Sequence, residues 1–268
     1  MRVNSISSIS SISNKDIYNI YSKLSSGKRI NKAADDAAGL AIGKKMQRQE
    51  TGLLVGAQNV KDGMGVLNVA DGAMDGMMDY LQRMRELALR ASNGLYTDSD
   101  RETFQTEIDS LKEGIQSLAK NTSFNEQTLL DGSMADMHLA TNPEGGGLSI
   151  SMANTTLEAL GIADFDVRSG NFDLSAIDKA MDMVSSARSN TGAYTNRLSH
   201  TYNYNLGAAE EMTRSRSRIE DLDLPMAISE KKKKDLLMQY RNLMLGNTMN
   251  QRNMLMRLFQ SSGSEIFR

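Results

Sequence analysis

The sequence contains no cysteine and no tryptophan among its 268 residues, and only two prolines, Pro143 and Pro225. Without cysteine it has no disulfide, no thiolate metal site and no cysteine nucleophile. It contains eight tyrosines and six phenylalanines, fewer aromatic residues together than its 19 methionines. So few large, rigid side chains are unusual for the compact core of an enzyme.

The formal charge is nearly balanced, because 31 Lys and Arg residues face 33 Asp and Glu residues. A net charge of −2 gives no overall attraction to nucleic acid or to an acidic membrane surface, so we expect neither partner. The first residues lack the continuous apolar stretch of a Sec signal, and no segment is long enough for a transmembrane helix. We therefore expect a soluble protein that would need another export route to leave the cell.

Two helical patterns in the first half predict a helical hairpin. Apolar residues recur every three or four positions from Val60 to Ala91, which is typical of a coiled-coil seam. The pattern predicts one helix of about 35 residues that ends just before Asn93-Gly94. A second helix is expected to begin at the capping-box pattern Ser99 to Glu102 and to pack antiparallel against the first. Its apolar stripe consists of Phe104, Ile108, Leu111, Ile115 and Leu118.

The second half contains a predicted β-hairpin and another long helix. Alternating apolar residues on either side of residues 142–147 predict the hairpin, and residues 154–172 are expected to form a connector. Helical periodicity then runs from Ile177 to Ile219, with polar seam residues such as Asn205 that favour one particular neighbour. Pro225 is expected to interrupt the helix, and residues 236–259 to form a final amphipathic helix.

Apolar side chains at the two ends have no domain of their own to cover them. Burial of one such side chain stabilises by about 1.5 to 3 kcal/mol, so we predict that these residues pair with each other and with other copies of the chain. The candidate self-assembly residues are Ile17, Ile20, Leu24, Leu237, Tyr240, Met244, Met254, Leu255 and Leu258.

The residues that could carry chemistry are isolated from suitable partners. His138 and His200 have no second histidine or cysteine nearby in the sequence, and the neighbouring acids Asp35 and Asp36 should point to different faces. Lys231 to Lys234 is interpreted as a solvated helix face. We predict no catalytic, cofactor-binding or metal site, and hence no enzyme.

Four glycines, Gly63, Gly65, Gly72 and Gly76, lie inside the first predicted long helix, so they do not form a phosphate loop. Each costs about 1 kcal/mol relative to alanine in a helix. We predict that another helix crosses closely there, the alternative being that the helix tolerates these glycines without such a contact.

Several segments resemble bacterial flagellins. Residues 24–31 (LSSGKRIN) and 33–42 (AADDAAGLAI) are similar to the N-terminal signature of that family, and residues 81–88 (LQRMRELA), 124–125 and 215–221 (SRSRIED) follow in the family's order. The resemblance implies an all-α-dominated, elongated rod of long antiparallel coiled-coil helices with a small β-hairpin. It also implies a minimal form that has inner and rod domains and no outer domain.

The resemblance implies four segments along the chain. Residues 1–31 would form an N-terminal inner-tube helix and junction, and residues 32–175 the N-terminal rod helices, β-hairpin and connector. Residues 176–224 would form the C-terminal rod helix, and residues 225–268 the C-terminal inner-tube helix and tail.

Members of the family self-assemble into the helical flagellar filament for motility. The resemblance therefore implies a secreted, extracellular structural subunit without a cofactor. Its partners would be other copies, a flagellar export chaperone, the type III export apparatus, and the filament cap and junction proteins. A hook-filament junction adaptor, an accessory flagellin that assembles poorly, and a secreted enzyme remain alternatives.

The resemblance also implies contact with a host Toll-like receptor. The family's recognition motif is represented here by Gln82, Arg83, Glu86 and Leu87, with Glu107 facing them from the next helix. An arginine and a glutamate beside an exposed leucine would form a binding hot spot, so we expect Leu87 to be exposed.

Overall fold

The structure is a computed structural model that describes residues 14–170 and 172–263, with side chains from 18 to 257 apart from residue 171. Long helices dominate it and flank two small antiparallel strand pairs. In chain order the elements are α1 (Asn14–Ser26), α2 (Ala37–Ala91), α3 (Asp98–Asn121), β1 (Ser123–Phe124), β2 (Gln127–Thr128), β3 (Asp136–Ala140), β4 (Gly147–Ser151), α4 (Ser175–Glu220) and α5 (Leu224–Gly263). The predicted fold class, all-α with a small β-hairpin, is confirmed.

Helix α2 is longer than predicted. It has 55 residues rather than about 35, and it begins where the Asp36 carboxylate accepts a hydrogen bond from the Gly39 amide at 2.8 Å. The apolar periodicity is weak before Val60 because glycines occupy positions where other parts of the chain approach closely. A Cβ atom on Gly56, for example, would collide with the Thr141 carbonyl oxygen. The predicted end, just before Asn93-Gly94, is confirmed.

Helix α3 begins two residues earlier than the predicted capping box. Its N-cap is Thr97, whose hydroxyl accepts a hydrogen bond from the Asp100 amide, while the Asp100 carboxylate accepts one from the Thr97 amide at 2.9 Å. Thr97 and Asp100 have the same spacing as the predicted pair Ser99 and Glu102, and the sequence pattern did not distinguish the two.

The chain divides into two compact units, one of residues 48–212 and one of residues 1–47 with 213–268. In the first unit α2 lies antiparallel to α3, since Arg83 pairs with Glu107 while Gly76, earlier in α2, faces Leu118, later in α3. It also lies antiparallel to α4, since Arg85 pairs with Asp178 and Arg188 pairs with Asp71 earlier in α2. The three helices enclose a methionine-rich core that is closed to solvent. Its largest buried side chains include Met74, Met77, Leu81, Met84, Ile108 and Ile115.

The predicted β-hairpin is present and is held against α2 and α4. Strands β3 and β4 pair Met137 with Ile150 and Leu139 with Leu148. Two asparagines fix its end, since Asn59 donates to the Ala140 carbonyl and Asn205 to the Thr141 carbonyl, each at 2.9 Å. Asn205, which the sequence places in the polar part of the seam, therefore fixes the position of the hairpin along α4.

The short pair β1–β2 is missing from the sequence prediction. Asn125 and Glu126 connect its strands with positive φ angles of 50° and 66°. Residues other than glycine seldom adopt this conformation, and nothing in the hydrophobic pattern indicates it.

In the second unit, α5 starts at the predicted proline interruption. The Asp223 carboxylate caps the helix by accepting a hydrogen bond from the Met226 amide at 3.1 Å. Pro225 lies in the first turn, where its missing N–H is not needed for an intrahelical bond. Helix α1 packs against α5, and the Lys231 ammonium lies 4.5 Å from the centre of the Tyr21 ring.

Candidate functional site

The loop between α1 and α2 is ordered by its own polar groups. The Asp35 carboxylate accepts hydrogen bonds from the Asn31 and Lys32 amides, each at 3.1 Å. These two bonds hold the pKa of Asp35 below its ordinary value. Asp36 caps α2, as described above. The adjacent acids therefore have local structural roles rather than catalytic ones.

The same loop is bound to the end of α4 by backbone and side-chain contacts. The Lys28 ammonium lies 2.9 Å from Oε2 of Glu220, whose side chain is only 6% exposed. Arg29 donates from its guanidinium to the Ile219 carbonyl and from its amide to the Glu220 carbonyl, both at 2.7 Å. Lys28 and Glu220 both lie in segments that resemble flagellins, but periodicity gives no signal that they meet.

The second part of α5 exposes apolar side chains in the single chain. Every residue from Asn242 to Arg257 is exposed to solvent. Of the predicted self-assembly residues, Ile20, Leu24 and Leu237 are partly buried, as expected where α1 packs against α5. Tyr240, Met244, Met254 and Leu255 are exposed. The side chains of Ile17 and Leu258 lie outside the described residues.

The apolar residues of α5 are not confined to one face, as an amphipathic helix would require. Leu236, Leu243 and Met254 lie on one side, whereas Leu245, Met249 and Met256 lie about half a turn away around the axis. The prediction of a single apolar face is therefore wrong. A helix that is apolar on opposite sides needs cover from more than one neighbour.

The predicted receptor motif brings Arg83 and Glu107 together. Nε of Arg83 donates to Oε1 of Glu107 at 2.8 Å across α2 and α3, and Nη1 donates to Oε2 of Glu86 at 3.2 Å. The two carboxylates hold the pKa of Arg83 above its ordinary value, with Glu107 contributing most. Gln82, Glu86 and Glu107 are exposed.

Leu87 departs from the expectation that it is exposed. Its side chain is 1% exposed and belongs to the core between α2, α3 and α4. Because α2 packs against two helices, its buried face is wider than a two-helix seam and includes positions beside the predicted stripe. The nearest exposed leucine in the sequence is Leu89, two residues further along α2.

The glycine prediction holds for part of α2. A side chain on Gly76 would contact Leu118 of α3, as predicted for a close helix crossing, whereas Gly63 receives Leu139 of the hairpin. Gly65 and Gly72 have open space around them in the single chain, so the prediction is wrong there.

The described part of the chain contains no group of three or more metal-ligating side chains. Nε2 of His138 lies 3.5 Å from the Gly145 carbonyl oxygen in the hairpin, and His200 lines an open groove between α4 and the hairpin. None of the described helices is both long enough and apolar enough to cross a bilayer.

The exposed apolar side chains of α5 indicate that the functional surfaces of this helical protein are interfaces with other molecules. The family model of the bacterial flagellin N-terminal helical region matches residues 1–135, and that of the C-terminal helical region matches residues 174–259. The chain belongs to the bacterial flagellin family.

Relatives match along most of their length. The chain is 36% identical to a flagellin of Halalkalibacterium halodurans over 89% of this chain and 90% of that protein. It is 34% identical to a flagellar filament core protein of Brachyspira hyodysenteriae over 89% and 91% of the two chains. A solved structure, the flagellin of Bacillus cereus, has a TM-score of 0.50 at 25% identity and covers 55% of this chain and 88% of its own.

Flagellins are structural proteins of the extracellular flagellar filament. Family membership therefore confirms the predictions of a structural protein and of an extracellular location, and it excludes an enzyme as the function.

Proposed function

We propose that this chain is the subunit that polymerises into the flagellar filament, and that copies associate by covering α5. The observation that supports this most directly is the run from Asn242 to Arg257, in which every residue is exposed. At about 1.5 to 3 kcal/mol for each large apolar side chain buried, covering this run on two sides would provide a strong driving force for assembly. Three predicted self-assembly residues, Met244, Met254 and Leu255, lie in this run, and a fourth, Tyr240, lies just before it; all four are exposed.

Electron microscopy of the purified full-length chain tests the proposal. The double variant Leu243→Gln/Leu255→Gln should form no filaments at concentrations where the unchanged chain assembles, because polar groups then enter the buried contact. Leu95→Gln is the matched control, since Leu95 is 88% exposed in the turn between α2 and α3. Filaments from the double variant would contradict the proposal, and short rings from the unchanged chain would favour a junction adaptor.

The four predicted segments extend the proposal. Residues 1–31 and 225–268 would belong to the inner tube, and residues 32–175 and 176–224 to the surrounding rod. Deletion of residues 236–268 should abolish polymerisation while circular dichroism still shows the remaining helices, because the core of α2, α3 and α4 lies outside the deleted part. Filaments formed by the truncated chain would reject this assignment.

We propose that the export partners bind the same exposed helix. An export chaperone would cover α5 before the chain enters the type III export apparatus, and the cap and junction proteins would meet it in the filament. Co-expression with a flagellar chaperone should protect residues 242–257 from limited proteolysis. Equal cleavage with and without the chaperone would contradict this.

We also propose that Gln82, Arg83, Glu86 and Glu107 form a surface for receptor recognition. Arg83 supports it because its guanidinium is held by two carboxylates while remaining 40% exposed. Arg83→Ala should weaken the response of cells that carry the Toll-like receptor, whereas Lys61→Ala, at an exposed position of the same helix, should not. Leu87 would contribute only by supporting the backbone, since it is buried.

A further inference from the structure

The nearly neutral chain is divided into two units of opposite charge. Residues 1–47 with 213–268 contain 19 Lys and Arg and 9 Asp and Glu residues, a formal net charge of +10. Residues 48–212 contain 12 Lys and Arg and 24 Asp and Glu residues, a formal net charge of −12. The overall value of −2 conceals this separation.

The positive charge of α5 lies in its first half. Lys231 stacks over Tyr21 and Lys234 pairs with Glu230, so these two lysines have neighbours in the same unit. Lys232 and Lys233 are exposed to solvent. In the exposed run from Asn242 to Arg257, by contrast, only Arg252 and Arg257 are charged. Helix α5 therefore has a basic first half and an apolar second half.

The acidic unit carries a row of aspartates along the seam between α2 and α4. Arg188 pairs with two of them on α2, at 3.0 and 2.6 Å, and Arg85 pairs with one on α4 at 2.6 Å. Asp79 and Asp182 are exposed and have no cation partner among the described residues. Asp79 follows Asp75 and Asp182 follows Asp178 by four residues, so each lies one helical turn beyond a paired aspartate on neighbouring surface of the same helix. The aspartate seam is the set of Asp71, Asp75, Asp79, Asp178 and Asp182.

We propose that the basic first half of α5 in one copy contacts the aspartate seam of a second copy. The inference rests on the proposed function and names a second surface of the same assembly. Apolar burial of α5 would bring units of formal charge +10 together, and their repulsion opposes assembly unless anionic groups lie between them. The aspartate seam of a neighbouring copy provides such groups, and complementary charge also fixes which surfaces meet.

Paired charge variants of the full-length chain test the contact. Lys232→Glu/Lys233→Glu should raise the critical concentration for assembly about threefold to tenfold, as expected for the loss of a few partly screened ion pairs. Lys61→Glu/Lys120→Glu makes the same change in net charge at exposed positions of the acidic unit and should leave the critical concentration within about twofold. A variant at Lys232 and Lys233 that assembles as well as the control, or better, would overturn the proposal.

Mixing gives the reciprocal test. Asp79→Lys/Asp182→Lys copies alone should also assemble poorly, but a mixture with Lys232→Glu/Lys233→Glu copies should assemble at a lower concentration than either variant alone. A mixture that assembles no better than its components would reject the seam as the partner surface. Circular dichroism of each variant before mixing checks that the helices are unchanged.

Ionic strength separates this inference from the proposed function. Between about 20 and about 200 mM NaCl the screening length falls from about 20 to about 7 Å, so an attractive charged contact weakens and the critical concentration should rise. Filaments that form more readily as NaCl increases over this range would overturn the inference and leave the proposed function intact. Absence of filaments at every NaCl concentration would overturn both.

Discussion

The ammonium of Lys28 lies 2.9 Å from the carboxylate of Glu220, a residue 192 positions further along the chain. The contact fastens the loop after α1 to the end of α4, and Gly43 in the second turn of α2 lies against the same carboxylate. A Cβ atom on Gly43 would collide with Oε1 of Glu220. One nearly buried carboxylate therefore sets the positions of three segments that are distant in the sequence.

Lys28→Met should destabilise the unit of residues 1–47 with 213–268. The change leaves the Glu220 carboxylate nearly buried without its cation, which we expect to cost about 1 to 3 kcal/mol, since Lys28 itself is partly exposed. Urea unfolding followed by circular dichroism measures the loss. Lys32→Met is the control, because Lys32 is exposed and makes no side-chain ion pair in the described structure. Equal stability of both variants would show that Glu220 does not need Lys28.

Glycine substitutions in α2 should have opposite effects at two positions. Gly56→Ala places a methyl group against the Thr141 carbonyl and should destabilise by about 1 to 3 kcal/mol, because the hairpin must move. Gly72→Ala meets open space and should stabilise the single chain by about 0.5 to 1 kcal/mol through helix propensity. Thermal unfolding of the monomer compares them, and a loss of stability in Gly72→Ala would contradict the described surroundings.

Helix existence, the hairpin and the apolar stripe of α3 follow from local patterns, and the sequence predicts them because periodicity reports which residues are buried. The early start of α2 does not follow from a local pattern. Its first part contains glycines because other parts of the chain approach closely there: Glu220 at Gly43, Pro143 at Gly52 and Thr141 at Gly56. The position of Leu87 was missed for a similar reason. Leu87 is buried because α3 and α4 both pack against α2. A pattern of apolar positions that assumes a single partner helix does not include it.

The two candidate surfaces, the exposed part of α5 and the charged units, are likewise only partly predictable from the sequence. The apolar content of α5 is visible in the sequence, but its spread over opposite sides and the exposure of residues 242–257 require the helix and its neighbours. Charge separation required the two compact units, because basic residues at both chain ends add up only when residues 1–47 and 213–268 are counted together.

The loop after α1 should lose stability in acid. Hydrogen bonds from the Asn31 and Lys32 amides lower the pKa of Asp35 below its usual 3.8 in the folded chain. The carboxylate therefore stabilises the fold fully above the pKa of the unfolded chain, and this contribution disappears as the pH falls through the lower folded pKa.

Asp35→Asn removes that contribution, so the stability difference between the unchanged chain and the variant should be largest near neutral pH and shrink below about pH 4. Urea unfolding at a series of pH values measures it. Glu144→Gln, at an exposed turn position without a hydrogen-bond partner in the described structure, should show a smaller difference. A difference for Asp35→Asn that stays constant into acid would show that its hydrogen bonds do not depend on the charge.

Stability measurements should separate Arg83 from Leu87 before either is tested for receptor binding. Arg83 makes partly exposed ion pairs with Glu86 and Glu107, so Arg83→Ala should cost less than about 1 kcal/mol. Leu87→Ala opens a cavity in the core and should cost about 2 to 5 kcal/mol. A weakened receptor response of Leu87→Ala would therefore report partial unfolding, whereas the same loss in Arg83→Ala, with its unfolding midpoint unchanged, would report a lost contact. If Arg83→Ala proved as unstable as Leu87→Ala, the pairing with Glu107 would be a structural requirement of the α2–α3 hairpin, and receptor assays on Arg83 could not identify a binding surface.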